Sequence, residues 1–400
     1  MSVAGISIGL VRSANALLFG TCFSCAIHTQ LHHTQRLTKQ PASFKRNSIN
    51  PFNMLLSVEE LEASSKMDPT IAEFIKNNPM PPLDWNDAAA IAGGMAMMTQ
   101  MQLAQMGPAN PDLLTEEYVE ITLRDGYKSK LKVHKPVNKP AGGSPLVVFA
   151  FGGGFIGGDC DQGTAVARML VKAFGAVVVN ISYRLAPENK FPCSHLDAWD
   201  SCKWIADNAT GTLGADPSKG FIMSGISAGG CIASAMVTHA IAEPLAHPFT
   251  GQWLGVPTIL DDKHTPEKYR KYHLSLQHNT EAPILKSSDM DAIGRHVSTD
   301  DESPWRFPIL SKNPISKQPK AYIQADGMDP LRDDALIWDE ILKDNGVQSK
   351  IDFYPGCPHA HWGFYAGIDV SNKAIVDCIV GIAWLLGEDL GPQEAAARAL

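Results

Sequence analysis

Phe221-Ile222-Met223-Ser224-Gly225-Ile226-Ser227-Ala228-Gly229-Gly230 is the stretch on which the reading of the fold rests. The apolar residues Phe221 to Met223 belong to a strand running from Gly220 to Gly225, and the alanine-rich run from Ala228 to Ile241 reads as a helix. Ser227 therefore stands at a strand-to-helix turn, flanked by Gly225, Ala228 and Gly229. Such a turn holds the backbone in a strained geometry that only small neighbours allow, and it exposes the hydroxyl at a helix N-terminus. A G-x-S-x-G pattern alone is common, and an ordinary glycine-rich turn is the plain alternative.

The rest of the chain repeats this alternation. Leu146 to Phe151 is an apolar run ending in Gly152-Gly153-Gly154, and Thr164 to Phe174 is helical in pattern. Ala176 to Ser182 is almost wholly apolar or β-branched, as in a strand buried on both faces. Helix Leu196 to Asn208 follows. Beyond Ser227 come strand Ala321 to Ala325, helix Leu331 to Asp344, strand Lys350 to Tyr354 and a closing helix near Lys373 to Leu386. Strands alternating with helices of this length predict an α/β fold with a mostly parallel central sheet flanked by helices. Glu117 to Leu123 and Lys128 to His134 add a hairpin across Asp125-Gly126. Residues 262–305 are polar and charged and carry no strand pattern, so they read as an insertion over the C-terminal edge of the sheet, where ligands bind in such folds.

The N-terminal part differs. Ser57 to Asn78 is helical but broken near Asp68-Pro69, and Asp87 to Gln105 forms a helix dense in Met95, Met97, Met98 and Met101. These methionines either line an adaptable pocket or pack with Ile91 as one face of an amphipathic helix. The expected organisation is an extension over residues 1–53, N-terminal helices over 54–110 contributing to a helical cap, and a catalytic domain over 111–400.

The 400 residues carry a net charge of −8, with 44% hydrophobic and 19% charged residues, as in an ordinary globular protein with a large core. No acid precedes Glu59, whereas Arg12, Arg36, Lys39, Lys45 and Arg46 do, so the body carries the whole acidic excess. An acidic body argues against nucleic acid or an anionic membrane as a standing partner. The apolar runs Ala4 to Val11 and Ala16 to Ile27 are too short to span a bilayer. An unstructured extension is the expected reading of residues 1–53, with a mitochondrial presequence as the alternative. The eight scattered cysteines form no disulfide framework and fit a reducing compartment, the cytoplasm. Cys22 and Cys25 make a lone C-x-x-C with no second pair or histidine tract at ligand spacing, so no metal is expected there.

Acyl transfer from a serine needs donors for an oxyanion, a base and an orienting acid. The glycine triplet at a strand end lets backbone N–H groups turn inward, so Gly153, Gly154 and Ala228 are the expected oxyanion donors. Acid and base follow the serine in this kind of sheet. Asp329 and His359 each lie just past a strand end, on the edge that carries Ser227. Asp326, Asp333 and Asp334 are rival acids and His361 is a rival base.

These segments together resemble the hormone-sensitive-lipase-like branch of the α/β-hydrolases over roughly residues 115–390. The likeness rests on the glycine triplet, Tyr183-Arg184-Leu185-Ala186-Pro187-Glu188 with Phe191-Pro192, and Gly214-Ala215-Asp216-Pro217. It rests also on the serine turn, Asp329-Pro330-Leu331-Arg332-Asp333 and Tyr354-Pro355-Gly356-Cys357-Pro358-His359. The resemblance implies an α/β-hydrolase fold and a carboxylester hydrolase with Ser227, Asp329 and His359 as triad, no cofactor and a helical cap. The chain is most similar in style to fungal members, several of which serve secondary-metabolite pathways. Two positions depart from the family: Phe151 stands where a histidine is usual, and Ile226 where an acid is common. The usual histidine braces the oxyanion loop by hydrogen bonds that phenylalanine lacks.

The expected substrate is a small, hydrophobic ester or acyl compound. A second reading keeps the same site for a specialised biosynthetic step, such as lactone opening, thioester release or cyclisation of a polyketide-like intermediate. A third is a non-catalytic ligand-binding protein on the same fold, which would be expected to lack a triad member. Oligomeric state is not written in the sequence.

Overall fold

Eight strands form one sheet in the order β1-β2-β4-β3-β5-β6-β7-β8. The computed structural model describes residues 56–79 and 83–399; the expectations for residues 1–53, including Cys22 and Cys25, lie outside these. The strands are β1 (Leu114–Thr122), β2 (Lys128–Pro136), β3 (Leu146–Ala150), β4 (Val177–Ile181), β5 (Phe221–Ile226), β6 (Gly251–Gly255), β7 (Lys320–Met328) and β8 (Ser349–Pro358). β1 pairs antiparallel with β2 and β2 antiparallel with β4. From β4 to β8 every pairing is parallel. The central strands β3, β4 and β5 are buried along nearly their whole length, because helices cover both faces of the parallel part.

The structure adds elements that the sequence pattern did not reveal, among them β6, the short helix His361–Phe364 and a last helix. β6 is Gly251-Gln252-Trp253-Leu254-Gly255, a buried strand whose glycine ends and central glutamine disguise it. Its side-chain donors find acceptors in the core: Gln252 Nε2 donates to Gln318 Oε1 at 3.1 Å, and Trp253 Nε1 to Gln324 Oε1 at 3.0 Å. A last helix, Pro392–Ala399, turns Ala395 inward. Elsewhere the differences are in the ends. Helix Cys193–Asp207 starts three residues before the expected Leu196, while β7 and β8 extend past their expected ends to Met328 and Pro358.

Residues 262–305 carry the helices Glu267–Arg270, Ser275–His278 and Ser287–Val297 and no strand. They are tied to the body by buried carboxylates. Asp334 accepts the N–H groups of Ile259 and Leu260 at 2.8 and 2.9 Å and faces His273 Nε2 at 3.2 Å. Asp333 accepts the N–H groups of Leu274 and Ser275, both at 2.6 Å. The N-terminal helices Val58–Ser64 and Pro69–Asn77 brace the body near the ends of β7 and β8. Buried Arg332 donates to Leu61 O at 2.8 Å and Ser65 Oγ at 2.9 Å, and Asp68 N donates to Gly356 O at 2.9 Å.

Helix Ala88–Met106 holds no charged residue, and only Ile91 and Thr99 are buried on it. Met95 Sδ lies against Gly153 and Gly157, whereas Met97 is 57% exposed. Met95 thus packs against the glycine loop and Met97 faces outward, while Met98 and Met101 are half-buried.

Candidate active site

Four loops at the C-terminal ends of parallel strands converge above the sheet: Gly152–Gly154 after β3, Ser227 after β5, Asp329 after β7 and His359 after β8. Ser227 adopts φ 58° and ψ −119°, in the region that L-residues avoid, and its N–H donates to Gly255 O at 2.8 Å. The helix behind it comes so close to β3 that a Cβ on Gly229 would lie 2.1 Å from Ala150 O, which fixes glycine there. The strain of the turn is therefore held by packing on both sides.

Ser227 Oγ and His359 Nε2 are 2.9 Å apart, and His359 Nδ1 is 2.7 Å from Asp329 Oδ2. Asp329 is fully buried and also accepts the N–H of Leu331 at 2.9 Å, while its own carbonyl accepts Asn279 Nδ2 at 2.9 Å. Of the four acids considered, Asp329 is the one hydrogen-bonded to His359. Asp333 and Asp334 tether the insertion, and Asp326 faces His361 Nδ1 at 2.8 Å. Burial works against a charged imidazole at His359, but the charge and hydrogen bond of Asp329, with Asp326 beyond, outweigh it and raise the group above the usual histidine value. An imidazole so placed readily takes up the proton of a hydroxyl 2.9 Å away.

Gly153 and Gly154 have φ 127° and 62°, which suits glycine alone. Among the described residues, the N–H groups of Gly153, Gly154 and Ala228 donate to no backbone carbonyl. The loop is clamped from the cap side, where Trp85 and Ile293 come within 3.2 Å of where a Cβ on Gly154 would stand. Beneath it, Phe151 takes the place of the family's histidine. Its buried ring stacks on Tyr183 with centroids 4.1 Å apart and planes at 7°. Packing is not the whole support, however: Tyr183 Oη donates to Phe151 O at 2.6 Å. Tyr183 thus ties the carbonyl that precedes the glycine triplet to the segment after β4. Its phenol stays protonated, since burial drives its pKa far up.

Tyr183→Phe should keep the stack and lose the hydrogen bond, leaving a buried carbonyl short of a donor at a cost of about 1–3 kcal/mol. The expected result is a kcat about tenfold lower, read on a purified ester assay, with the melting temperature down by a few degrees. Unchanged kcat would show that the ring stack alone holds the loop.

Gly154, Ser227, Ala228 and His359 line one cavity of about 280 Å³. Its apolar walls include Trp85 from the N-terminal segment and Leu276, Leu285, Met290 and Ile293 from the insertion. The floor thus carries the reactive groups, and the cap side supplies the apolar surface. None of the methionines from Met95 to Met101 is in this lining. Sequence reasoning missed Tyr183 and Asn279 as supports. Tyr183 sits in a quoted motif, but nothing in its spacing says that it reaches back to Phe151, and Asn279 carries no local signal.

Comparison with known proteins places the chain by family and fold. The family model described as the alpha/beta hydrolase fold matches residues 147–363, and the chain belongs to that family, in its hormone-sensitive-lipase-like branch. It is 32% identical over 329 residues to an AB hydrolase superfamily protein of Schizosaccharomyces pombe, covering 81% of this chain and 95% of that one. It is 30% identical to a versiconal hemiacetal acetate esterase of Dothistroma septosporum over 69% of this chain and 83% of the relative. Among solved structures, a vibralactone cyclase superposes with a TM-score of 0.75 at 26% identity, over 84% of this chain and 98% of its own. Other relatives are named as esterases and carboxylesterases, and the chain is a carboxylesterase-like hydrolase. Among the described residues no helix is long and apolar enough to cross a membrane.

Proposed function

We propose that this chain cleaves a small, hydrophobic carboxylic ester through an acyl-enzyme on Ser227. The observation that carries the reading is the unbroken hydrogen-bonded line from Ser227 Oγ through His359 to Asp329, opening into a cavity walled in part by Trp85, Leu276, Leu285 and Ile293. His359 Nε2 takes the Ser227 proton as Oγ attacks the ester carbonyl carbon. The carbonyl oxygen becomes an oxyanion facing the N–H groups of Gly153, Gly154 and Ala228. Collapse of this intermediate breaks the bond to the alcohol oxygen, which leaves with the proton from His359. Water then repeats the sequence on the acyl-enzyme, giving the acid and restoring Ser227. Asp329 keeps Nδ1 protonated and stabilises the imidazolium that forms in each half.

Likeness to a vibralactone cyclase and to a versiconal hemiacetal acetate esterase favours a second reading, a pathway-specific acyl step at the same residues. Fluorophosphonate labelling followed by p-nitrophenyl ester turnover separates the two. Labelling at Ser227 with rapid turnover supports a broad esterase, and labelling with slow turnover supports the dedicated step. No labelling of folded protein would overturn both and leave a ligand-binding protein.

A further inference from the structure

The structure holds a second carboxylate–imidazole pair directly behind the first. Asp326 lies on β7 and Asp329 just past its end; His359 lies just past the end of β8 and His361, two residues on, opens the short helix His361–Phe364. Asp326 Oδ1 lies 2.8 Å from His361 Nδ1, and both side chains are fully buried. The other carboxylate oxygen of Asp326 accepts the backbone N–H of His361 at 3.3 Å. One carboxylate thus grips His361 by ring and by main chain. The far nitrogen, Nε2, faces Val370 O at 3.4 Å, and Ser371 Oγ donates to His361 O at 3.5 Å. Only the ring of His359 meets Ser227.

Between the two histidines stands Ala360, with φ 52° and ψ 39°. A non-glycine residue in the left-handed region persists only where its surroundings impose it. Here the surroundings are the anchored residue immediately after it. β7 also changes register between Asp326 and Met328, an irregularity that lets one strand aim two carboxylates at two different rings.

We propose that Asp326 and His361 are positioning residues for His359: their buried pair fixes the strained turn at Ala360 and so holds the His359 imidazole against Ser227. The inference rests on the serine-hydrolase reading above. It has an electrostatic side, since the Asp326 charge favours the imidazolium that His359 becomes during acyl transfer. The titratable groups around the pair are Asp329 just past β7, Tyr354 and Cys357 from β8, and His359 just past its end. Tyr354 is itself hydrogen-bonded to Asp377 at 3.0 Å, from helix Asp369–Leu386.

The test compares His361→Phe, His361→Asn and Asp326→Asn by p-nitrophenyl acetate kinetics, fluorophosphonate labelling rate and pH profile. A misplaced base costs up to about a hundredfold, so His361→Phe should lower kcat and labelling about ten- to a hundredfold with KM within about twofold. His361→Asn keeps an N–H for Asp326 and should recover most of that loss. Asp326→Asn should also lower kcat, and it should move the acid limb of the pH profile to lower pH, because the charge favouring protonated His359 is gone. The double variant Asp326→Ala/His361→Phe leaves no orphaned buried charge, so it serves where a single variant fails to fold, and it too should lose kcat. Any folded variant without the pair that keeps wild-type kcat and pH midpoint overturns the proposal, as does failure of His361→Asn to recover activity. Ser227→Ala, run alongside, keeps the two readings apart. Retained turnover there overturns the serine-hydrolase reading itself, while a dead Ser227→Ala beside wild-type-like pair variants overturns only this inference.

Discussion

Ser227→Ala should lower kcat by on the order of 10⁴ or more while the protein remains folded. The substitution removes one oxygen from a half-buried turn and with it one 2.9 Å contact to His359 Nε2. Alanine meets the same backbone strain at φ 58° as serine, and Gly225 and Gly229 still let helix and strand approach closely. Thermal unfolding and circular dichroism should therefore match the wild type within a few degrees. Some catalysis over water should survive, because oxyanion donors and cavity walls are untouched. Near-wild-type turnover by the purified variant, with contaminating esterase excluded by fluorophosphonate labelling, would mean that another group attacks the substrate.

The parts of this site that were legible in the sequence are those whose chemistry is local. Gly225 to Gly230 announces a strained turn because the steric demand falls on immediate neighbours, and the φ of Ser227 meets that demand. The strand–helix alternation gave the parallel sheet for the same reason, since burial on both faces leaves a mark in each strand. β6 shows where that signal fails. Its burial is as complete as that of its neighbours, but its side-chain N–H groups donate to Gln318 and Gln324, which are remote in sequence. Tyr183 and Asn279 were hidden by the same kind of distance. A hydrogen bond from Tyr183 to Phe151 spans two strand ends, and one from Asn279 to Asp329 joins the insertion to the body. The departure at Phe151 was visible from sequence; the bond from Tyr183 to its carbonyl was visible only once the sheet brought the two strand ends together.

The insertion and the N-terminal helices follow a related logic. Their chemistry is ordinary and their patterning weak, yet they hold the loops that end β7 and β8. Arg332, fully buried, reaches from the start of a body helix to the carbonyl of Leu61, and Asn279 caps the turn of Asp329. The insertion and the N-terminal helices thus both line the cavity and brace the loops that carry Asp329 and His359.

Asp329→Asn should reduce kcat about as severely, by roughly 10⁴ at neutral pH, although the side chain hardly changes shape. The two oxygens of Asp329 have separate duties: Oδ1 accepts the N–H of Leu331 and Oδ2 faces His359 Nδ1. In the variant, the amide oxygen keeps the contact with Leu331, which turns the amide nitrogen toward Nδ1. Two donors cannot share that contact, so Nδ1 gives up its proton and Nε2 carries it instead. His359 then presents an N–H to Ser227 Oγ and has no lone pair with which to take the serine proton. The carboxylate charge that raises His359 is also lost, so the imidazolium formed in the transition state is less stable. The loss should fall on kcat, with KM changed little, because Asp329 lies outside the cavity lining. Asp329→Ala, which leaves Nδ1 to water or to neighbouring groups, should be impaired by a comparable factor. Wild-type-like kcat in a folded Asp329→Asn protein would reassign the orienting acid, and Asp326, the carboxylate on the same strand, would be the residue to test next.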